Sequence, residues 1–314
     1  PQAGIRDAQE SRGLGDVYKR QDEIHQIGLD EIKRIRSEME DIIQQVNWNG
    51  DFSSFLNYLR TNPRFYYDNP NDLFNAYLIM SKTIDPLLPK IFKVFPRAPY
   101  GVIPIPDESA PFTTTAYYNS PSPGRPGYFY ANLYKPESRP KYEIPVLTVH
   151  EAVPGHHFQI SIAQELENVP NFRKYQGITA FVEGWGLYSE ELGEFMGIYE
   201  DPYDKFGQLT YDMWRAIRLV VDTGMHYKNW SRDDAVNLFI ENSAKSILDF
   251  NNEIIVQLAI GTSIACIIFT SLSSANAHRI KGAVNINHFK PVAAGIIFGA
   301  FAGALFAVQI DGLI

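Results

Sequence analysis

The sequence has almost no cysteine and no excess of positive charge. Its 314 residues include one cysteine, Cys266, which excludes an intramolecular disulfide framework and a zinc site built from cysteines. The chain has 28 lysines and arginines against 36 aspartates and glutamates, giving a formal net charge of −8. Nucleic-acid binding requires clustered positive charge, so we expect no nucleic-acid partner.

The first 21 residues lack apolar periodicity and also lack the hydrophobic segment of a secretory signal. Residues 6–15 are similar to translated adapter sequence, and we predict that 1–21 is disordered and lies outside the fold. From residue 22 to about 46, apolar residues recur every three or four positions, which predicts an amphipathic helix. Further helices are predicted over 52–60 and 71–90.

Residues 91–145 are rich in proline and aromatic residues. This composition predicts an irregular segment of short strands and loops, with extended pieces over 100–105 and 128–133, that lines a cleft. Asn132 is a candidate contact for the backbone of a substrate. Packing within a loop-rich wall would explain this residue equally well.

Three of the seven histidines and one glutamate lie within residues 150–157. Imidazole nitrogen is the commonest protein ligand for zinc, and Glu151, beside His150, is placed to act as a general base. In the HExxH motif of zinc peptidases the two histidines are four residues apart on one helical face. Here Pro154 occupies the fourth position, so that motif is absent.

On an unbroken helix, His156 would point about 120° away from His150 and His157 would lie roughly 10 Å further along the axis. Pro154 removes a helical hydrogen bond, and Gly155 adds backbone freedom. A kink there could bring a downstream histidine back to His150; His156 is favoured, with His157 as the alternative. A helix end that happens to carry histidines is the other interpretation.

The next long helix is predicted over 177–196. Zinc sites of the two-histidine-plus-glutamate kind take the third ligand from a later helix, and Glu183 is the candidate. Glu190, two turns further on the same face, could orient a ligand histidine through a hydrogen bond without binding the metal itself. An acidic surface helix is the alternative interpretation.

A helix predicted over 205–227 carries Arg215, Arg218, Asp222 and His226 at steps of three, four and four residues, which places them on one stripe. The arginines could bind a substrate carboxylate, and His226 could stabilise an oxyanion. Asp222, one turn earlier, could fix the tautomer of His226. A ladder of ion pairs on a surface explains the same spacing.

The C-terminal part contains two uncharged apolar runs of 19 residues, 254–272 and 292–310. Each is long enough to cross a bilayer of roughly 30 Å, which predicts two transmembrane-like helices. The basic loop between them would be cytoplasmic by the positive-inside rule. A pair of buried core helices is the alternative.

The segment from residue 22 to about 250 resembles the bacterial family catalogued as domain of unknown function 885, whose members resemble zinc metallopeptidases of the zincin, gluzincin-like type. The resemblance is carried by residues 147–159, by Glu183-Gly184-Trp185 with Leu187-Tyr188 and Glu190, by Arg215-Ala216 through 221–224 to His226, and by Ala110-Pro111 and Arg125-Pro126-Gly127.

This resemblance implies a mainly α-helical fold and covers only a downstream portion of a full-length member. It also implies a zinc site that includes His150, Glu151, one histidine of the 156/157 pair and Glu183. Residues 254–314 resemble the end of the sulfite exporter TauE/SafE family of permeases. A peptidase fragment joined to a permease fragment indicates a chimeric sequence.

Together these inferences predict a hydrolase that uses Zn²⁺ to cleave peptide or small amide substrates, with Glu151 as general base. His226 or Tyr227 would hold the oxyanion, and Arg218 or Arg215 a substrate carboxylate. One alternative is a membrane transport or membrane-anchored protein, with membrane contact only through the C-terminal tail. The other is a catalytically inactive zinc-binding helical domain.

Overall fold

The computed structural model describes the backbone of residues 2–244 and the side chains of residues 21–244. This part of the chain is mainly helical, as expected. Its α-helices are α1 Gln2–Gln45, α2 Phe52–Thr61, α3 Pro70–Ile84, α4 Ile144–Glu151, α5 His156–Glu165, α6 Asn171–Tyr175, α7 Thr179–Met196, α8 Pro202–Tyr227 and α9 Arg232–Asn242. Its strands are β1 Tyr100–Pro104, β2 Ala116–Asn119 and β3 Gly127–Ala131.

Helix α1 begins at Gln2, upstream of the predicted start at residue 22. The disorder expected for residues 1–21 is therefore not what the structure has over residues 2–21, which have helical backbone. Once a helix is nucleated, each added residue gains a hydrogen bond at little further cost, so a helix formed by the amphipathic segment extends readily into neighbouring residues.

The main hydrophobic core lies between α1, α2 and α8. The fully buried side chains at its centre include Met39, Phe55, Phe206 and Met213. Burying one such side chain contributes about 1.5–3 kcal/mol, so this core fixes the long helix α8. Asp201 caps α8 by accepting a hydrogen bond from the backbone N–H of Tyr203.

The three strands form one sheet in the order β1-β3-β2, with β1 parallel and β2 antiparallel to β3. A second core joins the sheet to α3 and α4 through Leu73, Tyr77, Phe129 and Leu147. Helix α4 is buried along almost its whole length. This packing fixes the position of the C-terminal end of α4, where His150 and Glu151 lie.

The two apolar runs predicted as transmembrane-like helices, 254–272 and 292–310, lie outside the described residues. Among residues 2–244, no helix combines the length and the apolar character that a membrane crossing requires.

Candidate metal centre

The α4–α5 connection is a true break in the helix. Helix α4 ends at Glu151, and α5 begins at His156 after a loop that contains Pro154 and Gly155. Gly155 donates a 3.0 Å hydrogen bond to the carbonyl of Val149. A Cβ atom on Gly155 would lie 1.9 Å from the carbonyl oxygen of His150, so only glycine allows this close approach.

Helix α7 supports the loop from one side. The indole N–H of Trp185 donates a 2.8 Å hydrogen bond to the carbonyl of Pro154, and the Ser189 hydroxyl donates a 3.3 Å bond to the same oxygen. Between them, Gly186 faces the ring of His150, and a Cβ there would lie 2.5 Å from its Cε1 atom. The break is therefore held by residues more than 30 positions further along the chain.

The loop and α7 bring His150, His156 and Glu183 together. One ligand atom from each lies within 4.8 Å of the other two. The Nε2 atoms of both histidines are 3.7 Å from the Glu183 carboxylate, and the two ring centroids are 4.6 Å apart. Ligands about 2.1 Å from a tetrahedral zinc ion are about 3.4 Å from each other, so these residues fit a metal ion with little adjustment.

Glu190 contacts the Nδ1 atom of His150, the ring nitrogen that does not face Glu183. Its Oε1 atom lies 2.6 Å from Nδ1 of His150, and the carboxylate is 1% exposed. Both terminal nitrogens of Arg215 donate to this carboxylate, one of them at 2.8 Å. The Glu190 carboxylate accepts a hydrogen bond from Nδ1–H, which leaves Nε2 of His150 as the atom that can bind a metal.

The electrostatics of the group favour a cation. Burial lowers the pKa of His150, but Glu183 and Glu190 outweigh burial and raise this pKa to about 9. The nearby His150 lowers the pKa of Glu183. At neutral pH this shift favours a doubly protonated His150 when no metal is bound, and a metal ion that binds Nε2 displaces one of these protons.

Glu151 lies at the end of α4 and is 8% exposed. Burial, together with the negative charges of Glu183 and Glu190, raises its pKa to about 7, although the positive His150 opposes the shift. A carboxylate with such a pKa can accept and return a proton near neutral pH.

His157 is not part of the group, which corrects the alternative ligand assignment. Its Nε2 atom lies 3.1 Å from the carbonyl of Ala98, and Nδ1 lies 2.8 Å from the hydroxyl of Tyr118. Nε2–H therefore donates and Nδ1 accepts, so both ring nitrogens are occupied. Burial lowers the pKa of His157 to about 4, in keeping with a neutral, structural ring.

Two predicted substrate contacts have structural roles instead. The Asn132 side chain is fully buried and donates to the carbonyls of Ala110, Thr113 and Thr114 at 2.8–3.1 Å. It therefore holds a loop. Arg215 donates from both terminal nitrogens to Glu190 and so holds the carboxylate that contacts His150.

The structure does not bring the end of the α8 stripe to the metal-ligand group. Eleven residues separate His226 from Arg215, which is about 16 Å along a helix. His226 and Asp222 are 77% and 75% exposed and lie 3.9 Å apart. Tyr227 contacts Asp22 of α1 through a 3.4 Å hydrogen bond. Arg218 is exposed, and among residues 21–244 no ion pair joins it to the site.

Sequence reasoning missed the residues that brace the site. Trp185 and Ser189 are four residues apart and share one helical face, which is a detectable pattern, but their common acceptor, Pro154, is distant in sequence. The bidentate role of Arg215 was also missed, since the stripe on α8 pointed to a substrate rather than to Glu190.

Comparison with known proteins places the chain in a family. Residues 10–259 match the family model described as bacterial protein of unknown function (DUF885), and the chain belongs to this family. Residues 247–314 match the model for sulfite exporter TauE/SafE. The resemblance to these two families, drawn from the sequence motifs, is thereby confirmed, whereas the likeness to zinc metallopeptidases stays a prediction. The predicted domain limits, 22–250 and 254–314, and the chimeric origin stay predictions.

The structure is similar to the crystal structure of the "putative lipoprotein from Colwellia psychrerythraea", with a TM-score of 0.70 and 29% sequence identity. The similarity covers 87% of this chain and 49% of that one, so this chain spans about half the length of that protein. No curated protein matches the chain.

Proposed function

We propose that the chain binds zinc through His150, His156 and Glu183 and hydrolyses peptide or related amide bonds. The observation that carries this proposal is the approach of three ligand atoms, from separate elements, to within 4.8 Å of one another. Two imidazoles and one carboxylate are the protein ligands of the two-histidine-plus-glutamate class of catalytic zinc site, which leaves one position open for water or substrate.

Zinc, when bound, supplies a Lewis acid that polarises the scissile carbonyl and makes water easier to deprotonate. Glu151 would accept the proton from the attacking water and deliver it to the leaving amine. Its position directly after His150 and its raised pKa, about 7, both support this role. Glu190 and Arg215 would keep the proton of His150 on Nδ1.

The test measures bound zinc and hydrolysis of a peptide library separately, using the full chain. We expect one equivalent of zinc in the wild type and in Glu151→Gln, and none in His150→Ala. Hydrolysis should fall by about 10²- to 10⁴-fold in Glu151→Gln because the general base is lost.

Full activity in Glu151→Gln would refute the base assignment. A folded wild-type sample without zinc would refute the site. Zinc without hydrolysis of any peptide would favour the alternative of an inactive zinc-binding domain.

A further inference from the structure

A large apolar pocket lies between α5, α6 and α7. Its volume is about 960 Å³, at the upper end of the range for small-molecule sites. Several of its apolar side chains are solvent-exposed, among them Phe172 at 62%, Ile178 at 69% and Phe181 at 57%. Neighbouring large apolar side chains left open to water mark a binding surface.

Two walls of the pocket are formed by α5 and α7, which also carry the metal ligands His156 and Glu183. On α5, Gln159 lies one turn after His156 and on the same face, and it lines the pocket. On α7, Val182 lines the pocket and directly precedes Glu183. The pocket and the metal-ligand group therefore share two helices and lie within a helical turn of each other along α5 and α7.

The α5 wall of the pocket carries an unsatisfied acceptor. The Oε1 atom of Gln159 is buried, and no residue in the described part of the chain donates to it. Buried polar atoms are normally paired, and a turn of this amide toward the pocket would let its oxygen accept from a donor that a ligand supplies, such as a backbone N–H.

The pocket is also positively charged, in a chain of net charge −8. Arg173 and Lys174 line it, and no aspartate or glutamate does. Among the described residues, neither cation has an ion-pair partner. A ligand that combines an apolar group with a carboxylate would complement both features.

From these features we propose that the pocket binds the C-terminal residue of a peptide, with a large apolar side chain against α7 and the free carboxylate near Arg173 and Lys174. This substrate class rests on the proposed hydrolase function. A fatty acid shares the apolar and anionic parts but has no amide N–H for Gln159, so the peptide is favoured.

The first experiment uses the full chain freed of metal, so that no carboxylate can bind through zinc. Calorimetry compares N-benzoylphenylalanine with its C-terminal amide and with N-benzoylglycine. We expect the acid to bind about fivefold tighter than the amide, from roughly 1 kcal/mol of attraction to a nearby cation in water. Loss of the phenyl group should weaken binding about 10- to 100-fold.

The second experiment removes the charges. Arg173→Gln and Lys174→Gln should each weaken binding of the acid about twofold, and the double variant about fivefold, while binding of the amide stays unchanged. Lys33→Gln, which removes an exposed charge from α1, is the matched control and should change neither affinity. Equal binding of acid and amide by the wild type would overturn the proposal without any variant.

The proposal would also be overturned if the pocket proved to bind a fatty acid or a second copy of the chain. Dodecanoate binding more tightly than N-benzoylphenylalanine would assign the pocket to a fatty acid. A dimer that excludes the probe, seen by sedimentation, would assign it to a second copy of the chain. Zinc content of the wild type, measured separately, keeps a failure of the metal site distinct from a failure of the pocket.

Discussion

Two glycines on α7 provide a matched test of the metal centre. A Cβ atom on Gly186 would lie 2.5 Å from Cε1 and 2.9 Å from Nε2 of His150, whereas a Cβ on Gly184 would meet no atom within 4 Å. Ordinary carbon contacts are about 3.5–4.0 Å, so Gly186→Ala requires the His150 ring to move by about 1 Å. Gly184→Ala requires no movement.

The expected loss of zinc affinity in Gly186→Ala follows from the displacement of the His150 ring. Metal–ligand distances vary by only about 0.2 Å, and the 2.6 Å contact with Glu190 is equally sensitive to a shift of the ring. Loss of such an orienting partner typically lowers metal affinity about 10- to 100-fold, or roughly 1.4–2.7 kcal/mol. We expect at least this loss in Gly186→Ala.

Zinc affinity is measured by competition with a chelator, and stability by thermal melting of the metal-free chain. Both substitutions gain about 0.8–1 kcal/mol of helix propensity, which the overlap offsets only at Gly186. Gly184→Ala should therefore bind zinc normally and melt slightly higher. Normal zinc affinity in Gly186→Ala would refute the placement of His150 against α7.

Two further predictions concern the ligands and the C-terminal part. His156→Ala should abolish zinc binding. His157→Ala should retain zinc but lower the stability of the fold, because it removes a buried ring whose two nitrogens are both hydrogen-bonded. Chelator competition measures the zinc affinity of both variants, and the reverse result would make His157 the ligand. Since residues 247–314 match the sulfite exporter family, we expect the expressed chain to stay with membranes after carbonate extraction, and full recovery in the soluble fraction would contradict this.

The helices that the sequence predicted correctly are those that depend on residues close together in the chain. The apolar spacing of residues 22–46 predicted α1 as far as Gln45, and the helices predicted over 177–196 and 205–227 are present as α7 and α8. Such signals depend on neighbours within one or two helical turns. Strand β2 was not predicted, because it is four residues long and is defined by its pairing with β3.

The roles of side chains whose partners are distant in sequence could not be predicted in this way. The sequence left His156 and His157 open as ligands, because the difference lies in Tyr118 and Ala98, which occupy His157 from outside the motif. Asn132 likewise differs from a substrate contact only in the three carbonyls around it. A polar residue in a loop-rich segment looks the same in both roles until its partners are known.

The sequence did not predict that Arg215 on α8 pairs with Glu190, and the reason for the pairing is electrostatic. A carboxylate as buried as Glu190, at 1% exposure, is costly unless a cation and hydrogen bonds compensate it. Arg215 meets that need by donating from both terminal nitrogens to Glu190, and its role toward a substrate stays a prediction. Helical spacing alone identifies residues on one face, but the charge that a face must neutralise is on another helix.

The break at Pro154 and Gly155 explains how an unusual spacing can give a familiar donor set. On a continuous helix six residues would separate the two histidines by about 120°, and the rings could not share an ion. Because α5 restarts at His156, the ring centroids are 4.6 Å apart, and the first histidine is still followed by a glutamate. The metal group thus depends on how α7 holds the break, since Trp185 and Ser189 fix the loop and Gly186 admits the ring. Substitutions of Trp185, Gly186 or Ser189, none of which is a metal ligand, should therefore lower zinc affinity.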